Sequence, residues 1–224
     1  MARPPNPDAP RRLLAAARAA FASTGVDMAR VEDIARSAGF SKASFYLHFE
    51  SKEVVFEALV RDLFAACLAV SEQRQQAIDA LLAEIGGASA MDWSSGSERL
   101  LRFQAIDHAY SIRTLDLLWE WRDVFATIDQ ASGPRRAVVQ QLLDMTRVVV
   151  ADRLAAAAAA SMLRADIDPE LAAEMILGMY LQLARRMLRL DACPDLPSWA
   201  RQIDRLISSG IHPTVPVEPA ETRC

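Results

Sequence analysis

The sequence predicts an all-α protein, and three observations carry that reading. Alanine is abundant while glycine is held to eight of 224 residues, a balance that favours helix almost throughout. No stretch alternates β-branched and polar residues for long enough to make a sheet. Apolar residues instead recur three and four apart between caps and breaks, the spacing that lines one face of a helix.

The elements follow in order. Residues 1–10 carry Pro4, Pro5, Pro7 and Pro10 and are expected to form a mobile arm. From Arg11 the pattern turns helical, with Leu13, Leu14, Ala17 and Phe21 on one face and a stop at Gly25. A second, short helix is expected from Val31 to Ala38, its apolar positions being Val31, Ile34, Ala35 and Ala38. Gly39 follows where a left-handed conformation commonly ends a helix. Ser41 then caps a third helix from Lys42 to about Phe49. Ser51-Lys52-Glu53-Val54 offers a capped start for a fourth, reaching about Ile85. Residues 86–97 read as a loop, and further helices are expected at about 97–110, 114–130, 135–163, 169–190 and 197–209. Asp168-Pro169-Glu170 is a strong helix start, while Gly133-Pro134 and Pro194 to Pro197 mark breaks. The implied organisation is an arm (1–10), a three-helix head (11–55), a helical body (56–210) and a flexible tail (211–224).

Composition excludes several classes. With 52% hydrophobic and 24% charged residues the chain is ordinary for a soluble globular protein. The N-terminus lacks the apolar core of a signal peptide, and no run approaches the roughly 20 apolar residues that span a membrane. A cytoplasmic protein without membrane contact is therefore expected. Cys67, Cys193 and Cys224 are far apart and make no CxxC pair, which suits a reducing compartment better than disulfides or zinc. No GxSxG, HExxH, GxxxxGK[ST] or GxGxxG pattern occurs. His48, His108 and His212 fall in separate segments, His212 in the expected tail, and the neighbours Asp107 and His108 point to different faces. No enzyme, metal or cofactor is expected.

Charge is divided. The net −4 separates into eight Lys/Arg against six Asp/Glu in residues 1–55 and 17 against 23 in the remainder. A mildly basic head on an acidic body orients a molecule toward phosphate. The only two lysines, Lys42 and Lys52, bracket the aromatic segment SKASFYLHFESK. Counted from Val31, Ala35 is fifth and Gly39 ninth. A helix-turn-helix needs a small residue at the fifth place, where its helices cross closely, and glycine at the ninth, where the chain turns. Phe45 and Phe49 share one face of the third helix and are expected to anchor it, leaving Lys42, Ser44, Leu47 and His48 to point elsewhere.

RRLLAAARAAFASTGV and VEDIARSAGFSKASFYLHFESKEVVFEAL, within residues 11–60, resemble the DNA-binding domain of the TetR family of bacterial transcriptional regulators. Phe21, Gly25, Ile34-Ala35, Ala38-Gly39, Ser41-Lys42, Phe45-Tyr46, Phe49 and Lys52 sit in register with it. About a quarter of the chain is covered by motif. DIDPELAAEMILGMY resembles the start of the family's penultimate helix, and the rest matches only as an all-helical body. One departure stands out: the family's Thr or Ser before the second helix is replaced by Ala29 and Arg30, so that helix lacks its hydroxyl cap.

A recognition helix reads base edges with its N-terminal residues, while phosphate contacts set its position. By that logic and by the resemblance, Lys42 would donate to guanine and the Ala43 methyl would touch thymine. Ser41, Ser44, Tyr46, His48 and Lys52 are candidates for phosphate, and Arg30 can replace the missing hydroxyl there. Partners implied by the family are double-stranded DNA, a second copy of the chain and a small-molecule effector. Candidate effector contacts are Phe103, Tyr110, Trp121, Arg122, Phe125 and Met145, although large side chains of this kind in helices are more often ordinary core. Candidate dimer contacts are Met175, Met179, Leu183, Met187, Trp199, Ile203 and Leu206, weighed equally as interface and core. The function so implied is a ligand-responsive repressor that binds a palindromic operator as a homodimer and is released by an apolar or aromatic effector. The alternatives are a body that binds a protein partner, and an activator.

Overall fold

The computed structural model describes residues 7–212. Among them the chain is all-helical, in the order α1 (Ala9–Met28), α2 (Val31–Ser37), α3 (Lys42–Tyr46), α4 (Lys52–Ile85), α5 (Glu98–Glu120), α6 (Arg122–Asp129), α7 (Gly133–Ala159), α8 (Pro169–Met187) and α9 (Leu196–Ile211). A single 3-10 turn, Ala88–Ala90, interrupts the expected 86–97 loop. No described helix is long and apolar enough to cross a membrane.

The described chain forms two compact units. One holds the residues up to Leu68 together with Leu117–Thr146 and Gly178–Cys193, and the other holds Ala69–Asp116, Arg147–Leu177 and the chain from Pro194. In the first, Leu13, Ala17 and Phe21 of α1, Ile34 and Ala35 of α2, Phe45 of α3 and Val55, Phe56 and Val60 of α4 make one core. Ala131, Val139 and Leu142, from far along the chain, complete it. Leu13, Ile34, Ala35, Phe45, Val55 and Val60 are wholly buried, and each large apolar side chain so buried contributes about 1.5–3 kcal/mol.

Arginines tie this unit together. Arg18 on α1 donates to both carboxylate oxygens of Asp123 at 2.7 Å and to the Glu120 carbonyl, and its guanidinium stacks on Trp121. Arg135 grips both oxygens of Asp27, at 2.7 and 2.8 Å. Arg185 reaches Asp129 at 2.9 Å. The forked Arg18 contact, through two nitrogens onto two oxygens, is the geometry that distinguishes arginine from lysine.

In the second unit Ile78, Leu81, Met91, Phe103 and Met162 form the core. Buried Asp107 accepts from Arg74, and Asp204 accepts from the Ser111 hydroxyl at 2.6 Å and bonds His108 Nδ1 at 2.7 Å. The Ser111 hydroxyl and the His108 ring thus meet one carboxylate through its two oxygens.

Several boundaries differ from the sequence expectation. The break near residues 110–114 does not occur: the helix runs on to Glu120, with the Thr114 hydroxyl bonded back to the Tyr110 carbonyl within it. The interruption falls at Trp121, between α5 and α6. α3 is five residues long rather than eight; the turn after it is closed by Phe49 N–H donating to the Phe45 carbonyl at 2.9 Å. The expected arm and tail lie largely outside the described residues, but α1 begins at Ala9 and α9 extends to Ile211.

His212 is not in a free tail. Its ring stacks on Trp93 at 5.3 Å and meets Phe103 edge-on, and Nδ1–H donates to the Met162 carbonyl at 3.0 Å. Burial lowers its pKa, opposed by the Met162 carbonyl and the Asp107 charge, with Arg74 adding to the lowering.

Two predictions follow from this packing. Gly25 interrupts α1 at φ 76° and ψ 161°, a region essentially reserved for glycine. Gly25→Ala is expected to destabilise the fold by about 1–3 kcal/mol, read by thermal denaturation. A Cβ there meets only the Gln130 side chain, at 3.4 Å, so the cost is backbone conformation. For His212, the folded pKa lies below the unfolded one. As pH falls below about 6.5 the unfolded chain takes up a proton that the folded site refuses. Stability therefore drops on acidification until the folded site itself protonates. His212→Phe keeps the ring packing and is expected to remove that part of the pH dependence in melts between about pH 7.5 and 5.

Candidate nucleic-acid interface

The head presents α3 from a capped start. Ser41 Oγ accepts the Ser44 backbone N–H at 3.1 Å, as the sequence suggests. The Ser41 hydroxyl in turn donates to Ser44 Oγ at 3.2 Å. Phe45 is wholly buried and sets the helix's inward face, with Phe49 tilted against it at 5.8 Å. Tyr46 stands edge-on to Phe45 at 5.4 Å yet remains 49% exposed, so it is no core residue. Lys42, Ala43 and Leu47 are exposed, while Ser44 and His48 are half-buried. The face opposite Phe45 is therefore a short polar surface of donors with one methyl and one leucine.

Gly39 makes the turn into that helix at φ 79°. The Arg12 guanidinium lies 2.8 Å from where a Cβ would stand and 5.0 Å over the Phe40 ring, so arginine fills the space a side chain at 39 would need. Arg30, at the cap position before α2, makes no side-chain cap, consistent with the missing hydroxyl. Glu32 and Asp33 occupy its first turn, where negative charge favours the exposed amides.

Lys52 does something the sequence did not suggest. Its ammonium donates to the Asp27 carbonyl at 2.7 Å and the Ala29 carbonyl at 3.3 Å, closing the link between α1 and α2. Ser51 Oγ accepts the Val54 N–H at 3.3 Å and starts α4. One Lys52 proton remains for an outside acceptor. Glu32 was also invisible as a site residue: it lies 2.5 Å from Lys42, ten residues on and across the turn. The Lys42 hydrogen bond holds the Glu32 carboxyl below its usual range, helped by its backbone amide and by Arg30, and the same bond raises Lys42. No periodicity links positions 32 and 42, because they sit on different helices.

The candidate effector residues divide between the two units. Phe103 is buried beside Trp93, and Tyr110 lies under the Arg113 guanidinium at 5.0 Å. In the other unit Trp121 carries Arg18, Arg122 covers Trp119 at 4.1 Å, Phe125 is core and Met145 is exposed. The candidate dimer residues also separate. Met187 and Ile203 are buried within the chain itself and are core, because a side chain already out of solvent has no surface left for a partner. Met175 and Leu206 are 67% and 73% exposed, and Met179, Leu183 and Trp199 are half-buried. Leu171, exposed one turn before Met175 on α8, belongs beside them and was missed.

Comparison with known proteins agrees with this geometry. Residues 13–59 match the model of the tetR family of bacterial regulatory proteins. The chain is 26% identical over 203 residues to YdgC of Bacillus subtilis (strain 168), an uncharacterized HTH-type transcriptional regulator, covering 91% of this chain and 92% of that one. Its fold is similar to that of SmeT in complex with triclosan, with a TM-score of 0.67, 17% identity and coverage of 96% and 97%. SmeT is the repressor of the Stenotrophomonas maltophilia multidrug efflux pump SmeDEF. NalD, the secondary repressor of the MexAB-OprM multidrug efflux pump in Pseudomonas aeruginosa, is similar at a TM-score of 0.63 and 18% identity, with coverage of 92% and 97%. Residues 13–59 thus carry the helix-turn-helix of the tetR family model on a capped, outward-facing helix, within an all-helical fold similar to those of known transcriptional regulators.

Proposed function

We propose that the chain is a repressor that binds a palindromic operator as a homodimer and leaves it when a small, apolar or aromatic effector binds. The observation that carries the reading is the outward face of α3: Lys42 and Ala43 at its N-terminal end and Tyr46 exposed one turn on, over a buried Phe45. N-terminal residues of such a helix are the ones that reach base edges in the major groove. Lys42 and Ala43 are assigned to bases, and Arg30, Ser44, Tyr46 and His48 to phosphate. Ser41 contributes chiefly as the cap of α3, and Lys52 offers its remaining proton to phosphate while holding the end of α1.

One short helix reads too few base pairs for specificity, which argues for two copies reading two half-sites. Leu171 and Met175 on α8 and Leu206 on α9 leave apolar surface in solvent, as an interface not yet covered would. The release mechanism is a population shift. Effector binding would favour a position of α4 less suited to DNA, and Lys52 would pass that shift to the link between α1 and α2. A small-molecule effector is supported by SmeT, a similar fold found in complex with triclosan.

Two measurements test these assignments. Lys42→Ala is expected to weaken binding to the DNA upstream of the chain's own gene by about 5- to 160-fold, the cost of about 1–3 kcal/mol for one base contact. Equal binding by both proteins would make Lys42 mere surface charge. For the assembly, Met175→Glu combined with Leu206→Glu is expected to convert a dimer to a monomer in sedimentation, since charge cannot be buried unpaired. A dimer that survives both changes would place the interface elsewhere.

A further inference from the structure

Glu32 stands in the first turn of α2 and Lys42 at the first residue of α3, and their side chains meet at 2.5 Å. Both groups are exposed, and each holds the other in its charged form. The neighbouring Asp33 turns instead to Arg36, at 2.8 Å. Of the two carboxylates in that turn, one is committed to the lysine that faces DNA.

We propose that Glu32 is a specificity-determining residue: it neutralises Lys42 toward phosphate while fixing the direction in which the ammonium is offered to a base edge. The inference rests on the DNA-reading role proposed for Lys42. Binding to DNA of arbitrary sequence comes almost entirely from cations that neutralise phosphates and release counterions. A lysine already paired with a carboxylate brings little net charge to that process. Any phosphate that approached it would also meet the Glu32 carboxylate. A guanine edge is a different acceptor, neutral and reached by direction rather than by field. The ammonium has three protons, so two remain for guanine while one stays on Glu32. The pair therefore suppresses background binding more than binding to a cognate base. Because it is exposed, salt weakens it, and the effect is largest at low ionic strength.

The test uses five full-length proteins: wild type, Glu32→Gln, Lys42→Ala, the double variant, and Asp33→Asn. Asp33→Asn removes one charge from the same turn and releases Arg36 instead of Lys42, so it controls for dependence on the lysine. Each is titrated with a mixed-sequence duplex of about 30 base pairs over a salt series, and thermal melts confirm folding. In the wild-type background Lys42→Ala should change affinity less than twofold. Glu32→Gln should tighten binding several-fold at low salt and steepen the plot of log affinity against log salt by up to about 0.9, one added phosphate contact. The double variant should fall back to near wild type, whereas any gain from Asp33→Asn should not depend on Lys42. A Glu32→Gln gain that survives loss of Lys42 would reduce the effect to bulk charge and sink the proposal. A strong loss from Lys42→Ala alone would show the lysine already free for phosphate and sink it too. Absence of salt-dependent binding by all five would instead overturn the DNA-reading assignment on which it rests.

Discussion

A helix of five residues cannot hold itself. Its few internal hydrogen bonds do not repay the cost of nucleation, so α3 exists only because the rest of the unit makes it exist. Burial of Phe45 is the constraint that does so. The ring inserts fully into the core shared by α1, α2 and α4, which fixes both the axis of α3 and its rotation about that axis. Ser41 supplies the cap and Gly39 the turn, but each only permits what Phe45 enforces. The outward direction of Lys42, Ala43 and Tyr46 is the other side of that one burial.

Most of this was legible in the chain. Leu13, Ala17 and Phe21 recur at helical spacing and are the buried face of α1, and Ile34, Ala35 and Ala38 do the same for α2. Ser41 and Gly39 announce themselves by residue type, because caps and left-handed turns have few suitable side chains. What could not be read is what depends on sequence-distant meetings. Lys52 looked like a cation waiting for phosphate, and only the path of the chain brings two carbonyls of the link to it. Glu32 looked like an ordinary first-turn acid until α3 folded across it. Met187 and Ile203 share their spacing with Met175 and Leu206, and nothing in a periodicity says which of two apolar stripes meets its own chain and which meets solvent. His212 followed a run of weak helix signals into a proline-rich end, yet Trp93 and Phe103 hold it.

The same logic explains the economy of lysine. Arginine makes the ties at Asp27, Asp107, Asp123 and Asp129, and most of these carboxylates are gripped across long stretches of chain. A planar fork loses little freedom in such contacts. The two lysines sit where a compact, swivelling cation is useful, one tying backbone carbonyls and one beside a carboxylate at the outward face.

Ala131, Val139 and Leu142 complete the core beneath the three N-terminal helices, and Arg135 grips Asp27 beside them. The reading head is thus not a cartridge that ends where its motif ends. A chimera cut just after residue 55 would carry the whole helix-turn-helix sequence and leave seven of its 17 buried core residues behind, Val60 and Phe64 among them. A graft that respects the packing has to include α4 through Leu68 and to match the 131–142 stretch as well. The few exposed side chains on α3, by contrast, can be exchanged without disturbing that core.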